Sequence, residues 1–275
     1  MGDAYGRTLR TGAVLAAGMA LLAGCSPGGG GDGGKPPAST PPASTPGAST
    51  SGAPAPSPTP TAPPFAADPK KAPRTEADAR RMALAFVAGP DDWGPEYVKR
   101  SSFLSAPGSW PVLDANCAWE AASLPVSVLY SVTAHSEIPA AGGKGPLRVA
   151  ATVTVHRTET DADWEMAETL EEALRCPDQQ LREGERISRL ISLAPYTVGE
   201  STATTDFITE RGSYLNDAFE KPQFYSWFQS RVGQVSVATV VKGAPGYTEE
   251  ETTAAQVRAN VVMQDRVKKQ LGAPS

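Results

Sequence analysis

From Ser26 to about residue 68 the chain is built almost wholly from Gly, Pro, Ser, Thr and Ala. A pentapeptide recurs there: Pro-Pro-Ala-Ser-Thr at 36–40 and 41–45, then Pro-Gly-Ala-Ser-Thr at 46–50. Such a segment has too little apolar surface to offset the entropy of ordering it and is expected to stay disordered. Its Gly-rich start, Gly28 to Gly34, is flexible. The Pro-rich remainder favours polyproline II, so some 40 residues reach on the order of 100 Å. What can fold must follow: about 200 residues of ordinary composition, enough for one sizeable core or at most two small ones. The expected organisation is a leader at 1–24, a tether at 25–72 and a single domain at 73–275.

Ahead of the tether, Arg7 and Arg10 precede an apolar stretch from Gly12 to Leu22. That stretch is too short for a stop-transfer helix. It ends at Leu22-Ala23-Gly24-Cys25. This quartet resembles the lipobox of bacterial lipoproteins. The resemblance implies cleavage before Cys25, a diacylglycerol on its sulfur and often an acyl chain such as palmitate on its amine. Two or three acyl chains anchor stably where one would be marginal. The expected location is the extracytoplasmic face of the cell membrane, with the domain held off on its tether. An ordinary secretory signal with a chance Cys is the alternative.

The whole chain carries a net charge of −5, and losing Asp3, Arg7 and Arg10 with the leader leaves −6. That argues against a nucleic-acid partner, which demands a basic face.

The foldable part reads as α+β. Thr75 is a helix N-cap with Asp78 three residues on, and Ala79, Met82, Ala83, Phe86 and Val87 form one stripe. Residues 91–111 read as irregular, with Trp93 and Trp110 in a satellite core, and 114–123 as a short helix. Strands are expected at 126–134, 147–157, 186–193, 203–210, 223–231 and 234–242, the last two as a hairpin around Val232-Gly233. Asp161 is expected to cap a helix to Arg175, with Trp164, Ala167, Leu170 and Leu174 inward. Thr248 and Glu251 form a capping box for a final helix with stripe Ala254, Val257, Val261, Val267 and Leu271. Strands in runs with helices between them suggest an antiparallel sheet flanked by helices.

With Cys25 lipidated, Cys117 and Cys176 remain. An exported protein meets oxidising conditions, and their spacing is unlike a redox Cys-x-x-Cys. A structural disulfide is expected, contributing about 4 kcal/mol by closing about 60 residues. Two free thiols are the alternative.

Catalytic patterns are missing. The foldable part has no His-Glu-x-x-His, Gly-x-Ser-x-Gly, Walker A or Gly-x-Gly-x-x-Gly. No catalytic residue, metal or cofactor is expected. His135 and His156 read as exposed strand-end residues. Asp161, Asp163 and Glu249-Glu250-Glu251 sit where carboxylates favour a helix N-terminus. The run Lys70, Lys71, Arg74, Arg80 and Arg81 reads as a solvated face, with contact to anionic envelope polymers or lipid headgroups as the alternative.

The most suggestive stretch is Phe224-Tyr225-Ser226-Trp227-Phe228. On a strand, Phe224 and Phe228 point one way, Tyr225 and Trp227 the other. A sheet covered on one face should alternate apolar with polar. Either both faces are buried, or Tyr225 and Trp227 line a ligand groove.

Three stretches carry a family likeness: Cys117-Ala118-Trp119 before LPVSVLYS (124–131), WEMAETLEEALRCP (164–177) and RVGQVSVATVV (231–241). Residues 75–271 resemble the PknH-like extracellular sensor domains of actinobacteria, borne by a receptor kinase and by free-standing lipoproteins. The resemblance implies a curved sheet with helices around a cleft for an envelope ligand. A PsbP-like lipoprotein fold is the alternative. The function expected is that of a lipid-anchored, non-enzymatic binding or sensing domain, with a cell-wall, lipid or protein ligand. The alternatives are a structural lipoprotein docking on an envelope complex and a cell-wall hydrolase.

Overall fold

Three threonines fix where three helices begin. The Thr75 hydroxyl accepts from the Asp78 N–H at 3.1 Å, that of Thr158 from Asp161 at 3.0 Å and that of Thr248 from Glu251 at 3.2 Å. Each gives a first-turn N–H the partner that the helix itself cannot supply. The Glu251 carboxylate accepts from the Thr248 N–H at 2.8 Å, completing the capping box. In the middle helix the cap is Thr158 rather than Asp161. Asp161 stands three residues on and accepts the Thr158 hydroxyl at 2.7 Å.

The computed structural model describes residues 65–193 and 206–272. The expected leader, Cys25, the tether up to residue 64 and residues 203–205 of one expected strand lie outside the described residues. The elements are α1 (Glu76–Phe86), α2 (Pro90–Trp93), β1 (Val98–Leu104), β2 (Ser109–Leu113), β3 (Trp119–Ser123), β4 (Val128–Ile138) and β5 (Leu147–His156). Then come α3 (Glu159–Arg175), β6 (Gln179–Arg182), β7 (Glu185–Leu193), β8 (Asp206–Asn216), β9 (Gln223–Val232), β10 (Val235–Lys242) and α4 (Glu249–Leu271).

One antiparallel sheet of eight strands runs in the order β1-β4-β5-β10-β9-β8-β7-β6, and β2 and β3 form a separate hairpin. From β5 the chain crosses through α3 to the far edge at β6. It returns strand by strand until β10 closes on β5, from Val235↔Val155 to Lys242↔Arg148. The turn between β9 and β10 places Gly233 at φ +60°, where a Cβ would bring strain. Register shifts in β4 and β7 mark irregularities that bend those strands. The fold is a single α+β domain with an antiparallel sheet flanked by helices.

The sheet has two unlike faces because β5 alternates strictly. Val149, Ala151, Val153 and Val155 are buried on one side; Arg148, Ala150, Thr152 and Thr154 turn to the other. The valine side joins Val235, Val237 and Val241 of β10, and Phe86, Trp93, Met263 and Val267 close this core from the helical layer. Burial of this layer, at about 25 cal/mol per Å² of apolar surface, is the main stabilising contribution.

Several local expectations change. The stretch 91–111 is not irregular but holds the end of α2, then β1 and β2. Residues 114–123 form a turn and β3, not a helix. There the Asp114 carboxylate accepts from the N–H groups of Asn116 and Ala118, both at 2.8 Å, and Cys117 takes φ +62°. A side-chain turn thus outcompetes the helix. The strand expected at 203–210 continues to Asn216, and β6 was not anticipated. Trp93 belongs to the main core.

Two helices also face differently from their apolar stripes. In α3, Trp164 and Leu174 are 65% and 74% exposed, while Ala162, Met166 and Ala173 are buried. In α4, Val257 and Val261 are exposed and Gln256, Asn260 and Gln264 are buried. Two of these amides bond the sheet: Gln256 Nε2 donates to the Thr239 carbonyl at 3.0 Å and Gln264 Nε2 to Ser230 Oγ at 3.1 Å. Packing also begins ahead of the expected boundary at residue 73. Phe65 lies against the core, Ala67 pairs with Gly272, and the Asp68 N–H donates to the Leu271 carbonyl at 2.7 Å.

Candidate ligand cavity

The second face of the sheet is polar, yet it is not left to solvent. α3 crosses above it and the β2–β3 hairpin closes one side. Between them lies a cavity of about 540 Å³.

Four sets of contacts hold the roof in place. His156 Nε2 and Glu165 Oε2 are 2.9 Å apart, and the Ser236 hydroxyl donates to the same carboxylate oxygen. Thr169 Oγ1 donates to Gln229 Oε1 at 2.8 Å. Arg231 Nη2 pairs with Asp163 at 2.6 Å. At the far end the Cys117–Cys176 disulfide, with its Cα atoms 5.6 Å apart, ties the hairpin to the end of α3. Around it, Arg175 donates to the carbonyls of Asp114 and Leu113, and Trp119 Nε1 donates to Gln179 Oε1 at 2.8 Å.

The cavity floor has a hydroxyl ladder across β4 and β5. Ser131 meets Thr154 at 3.0 Å and Thr133 meets Thr152 at 2.9 Å. Tyr225 and Trp227 line the floor beside it, with Val240 and Ala238. Phe228 stands on the opposite face and stacks on Phe207. Trp110 and Trp119 contribute to the hairpin wall.

One part of the cavity is basic. Arg148, Arg182 and Lys242 converge on Glu185, with Arg148 Nη1 at 2.9 Å and Lys242 Nζ at 3.2 Å. Burial works against the Glu185 charge, but the Arg182 hydrogen bond and the Lys242 charge hold it down at about 2. His135 is not an exposed strand end: it sits within β4, half-buried, lining the cavity. Burial, then Arg100, Lys242 and Arg182, hold its pKa below the usual histidine value. His156 is 1% exposed, likewise unlike the expectation.

Another part is acidic. Glu165, Glu168 and Glu172 follow one face of α3 into the cavity, and Glu210 of β8 reaches it from the floor. Burial, then the neighbouring Glu172, push Glu210 up to about 8. Burial, then Glu168, push Glu172 up to about 7. Among the described residues no group of His, Cys, Asp and Glu side chains is arranged to hold a metal ion.

The structure thus joins Cys117 to Cys176 and puts Tyr225 and Trp227 on the cavity floor. Cys25 lies outside the described residues. Glu165, Glu168, Glu172, Glu210, Arg148 and Lys242 were not singled out from sequence. The spacing 165, 168, 172 was the available sign, since it places three carboxyls on one helical face.

No protein-family model and no curated protein matches the chain. A solved structure of an uncharacterized protein from Mycobacterium smegmatis is similar to it at 10% identity, with a TM-score of 0.30, over 72% of this chain and 97% of that one.

Proposed function

We propose that this chain is an extracytoplasmic, non-enzymatic binding or sensing lipoprotein. Its acyl chains at Cys25 hold it to the membrane, and the tether spaces the domain from the bilayer. The observation that carries this reading is the cavity of about 540 Å³. Aromatic walls with a few converging polar groups are the general form of a small-molecule site. The occupant is a small envelope molecule, a lipid or a wall fragment. The likeness to PknH-like sensor domains supports the same reading.

Hydrolysis of a wall polymer is a second reading, favoured by the facing carboxyls of Glu172 and Glu210. Glycoside hydrolysis divides labour between a protonated carboxyl and an ionised one. Here burial pushes both carboxyls the same way, and among the described residues Glu210 Oε1 has no hydrogen-bond partner to keep it ionised. Binding is the better supported of the two.

Native mass spectrometry of the chain purified from its own envelope tests the proposal. A co-purifying lipid or wall-fragment mass is expected, and adding that molecule should raise the melting temperature by mass action. A bare mass, together with a melting temperature that no lipid or wall fragment moves, would sink it.

A further inference from the structure

Glu210 is a buried carboxyl that the fold leaves partly unsatisfied. It is 6% exposed, and its Oε1 makes no hydrogen bond among the described residues. Its cross-strand partner in β9 is Trp227, and both line the cavity. Facing residues of an antiparallel pair hold their Cβ atoms about 4.5–5.5 Å apart, so carboxyl and indole address one volume. From the roof, Glu172 lines the same cavity and its charge acts on Glu210. The cavity's own cations are committed elsewhere, with Arg148, Arg182 and Lys242 all paired with Glu185 and Arg100 with Glu137.

Two carboxyls and an indole without a cation match one chemistry. An anion would be repelled. A hard divalent ion takes about six to eight oxygens in the case of calcium, and no such cluster exists among the described residues. An ammonium brings the missing charge, donates hydrogen bonds to the carboxylates and is attracted to the indole face. We propose that the cavity recognises a primary ammonium group seated between Glu210, Glu172 and Trp227, on a ligand whose stem lies along Val240 and Ala238. This rests on the reading of the cavity as a binding site and names the chemistry of its ligand.

Proton release follows. Glu210 near 8 and Glu172 near 7 are partly protonated at neutral pH, and an ammonium favours their ionised forms. The other charged or titratable groups that line the cavity are Arg100 of β1, Glu120 of β3, His135 of β4, Arg148 of β5, Glu165 and Glu168 of α3, Arg182 of β6, Tyr225 of β9 and Lys242 of β10. Amine affinity therefore rises from about pH 6 to about pH 9, since an alkyl ammonium stays charged to about pH 10.

Calorimetric titration of the purified full chain with hexylamine, hexanol and hexanoate tests this, with calcium chloride as competitor. Hexylamine should bind about tenfold more tightly than either analogue and release protons to the buffer. Glu210→Gln should weaken it about tenfold, Glu172→Gln less, and Arg81→Ala on α1 not at all. Circular dichroism establishes that each variant is folded. Hexanol binding as tightly as hexylamine, or amine binding unchanged in Glu210→Gln, overturns the ammonium site and leaves the cavity standing as a binding site. Displacement of hexylamine by calcium overturns it in favour of a metal. Should no probe bind, a chain that still carries an envelope mass loses only the ammonium assignment, and a bare chain that no lipid or wall fragment stabilises loses both.

Discussion

His156 and Glu165 meet at 2.9 Å where the end of β5 passes under α3. His156 is 1% exposed and its Nδ1 has no partner, so Glu165 provides the only hydrogen bond its ring makes among the described residues. Glu165→Ala should destabilise the fold by about 1–3 kcal/mol, the cost of a buried polar group left unpaired. Urea denaturation should show a lower midpoint with an unchanged slope. A midpoint equal to wild type would mean that the roof is held without this contact.

The disulfide is the second clamp on that roof. Replacing both Cys117 and Cys176 by Ser, which avoids a lone thiol, should lower stability by about 2–4 kcal/mol. The sequence separation it closes is 59 residues. The same denaturation curves check it, and a loss well under 1 kcal/mol would show that the hairpin docks without help.

Stability should fall as pH rises from about 4.5 to about 8. Glu210 ionises near 4.5 when unfolded but near 8 when folded. Between these values the folded chain holds a proton that the unfolded chain has released, at up to about 1.4 kcal/mol per pH unit. The loss is complete above about 8. Glu172 adds in the same direction up to about 7, less strongly because it is more exposed. Glu210→Gln should flatten the slope.

Glu185 has the opposite sign. Its folded value near 2 lies below the unfolded 4.5, so its contribution is present above 4.5 and lost as pH falls toward 2. Denaturant midpoints measured between about pH 3 and pH 9 separate the two effects, because Glu185→Gln removes only the acid limb. A flat wild-type profile between about pH 5 and pH 8 would contradict the buried state of Glu210.

Cys25→Ala should release the chain from the membrane. Detergent phase partitioning reads this directly, with wild type in the detergent phase and the variant in the aqueous one. Equal partitioning would remove the anchor from the proposed function.

Local or unique features were legible without coordinates. Thr75 and Thr248 advertise their caps, the β9–β10 hairpin turns at Gly233, and two cysteines left after Cys25 have only each other. α3 was misread because its largest apolar residues, Trp164 and Leu174, lie outside. Its inner face mixes the small or slender Ala162, Met166 and Ala173 with Glu165, Thr169 and Glu172, a pattern that a solvated face shares. The same ambiguity hides Arg148, Thr152 and Thr154, since a polar alternation along a strand looks alike whether water or a roof lies above it. Tyr225 and Trp227 broke that symmetry, being aromatic where a water-facing strand would be polar. Glu210 had no such marker, for its isolation arises from β8, β9 and α3 meeting in space.

Ala67 and Gly272 pair side by side, so the described chain leaves the fold where it enters. The domain is therefore close to a closed ring, and a short linker joining these two residues should let it be opened elsewhere as a circular permutant. Gly142-Gly143, in the exposed turn between β4 and β5, offers such an opening. The rewired chain would keep every strand pairing while its new ends hang from that turn. Where the domain is suspended would thus become a design variable, separable from what its cavity holds.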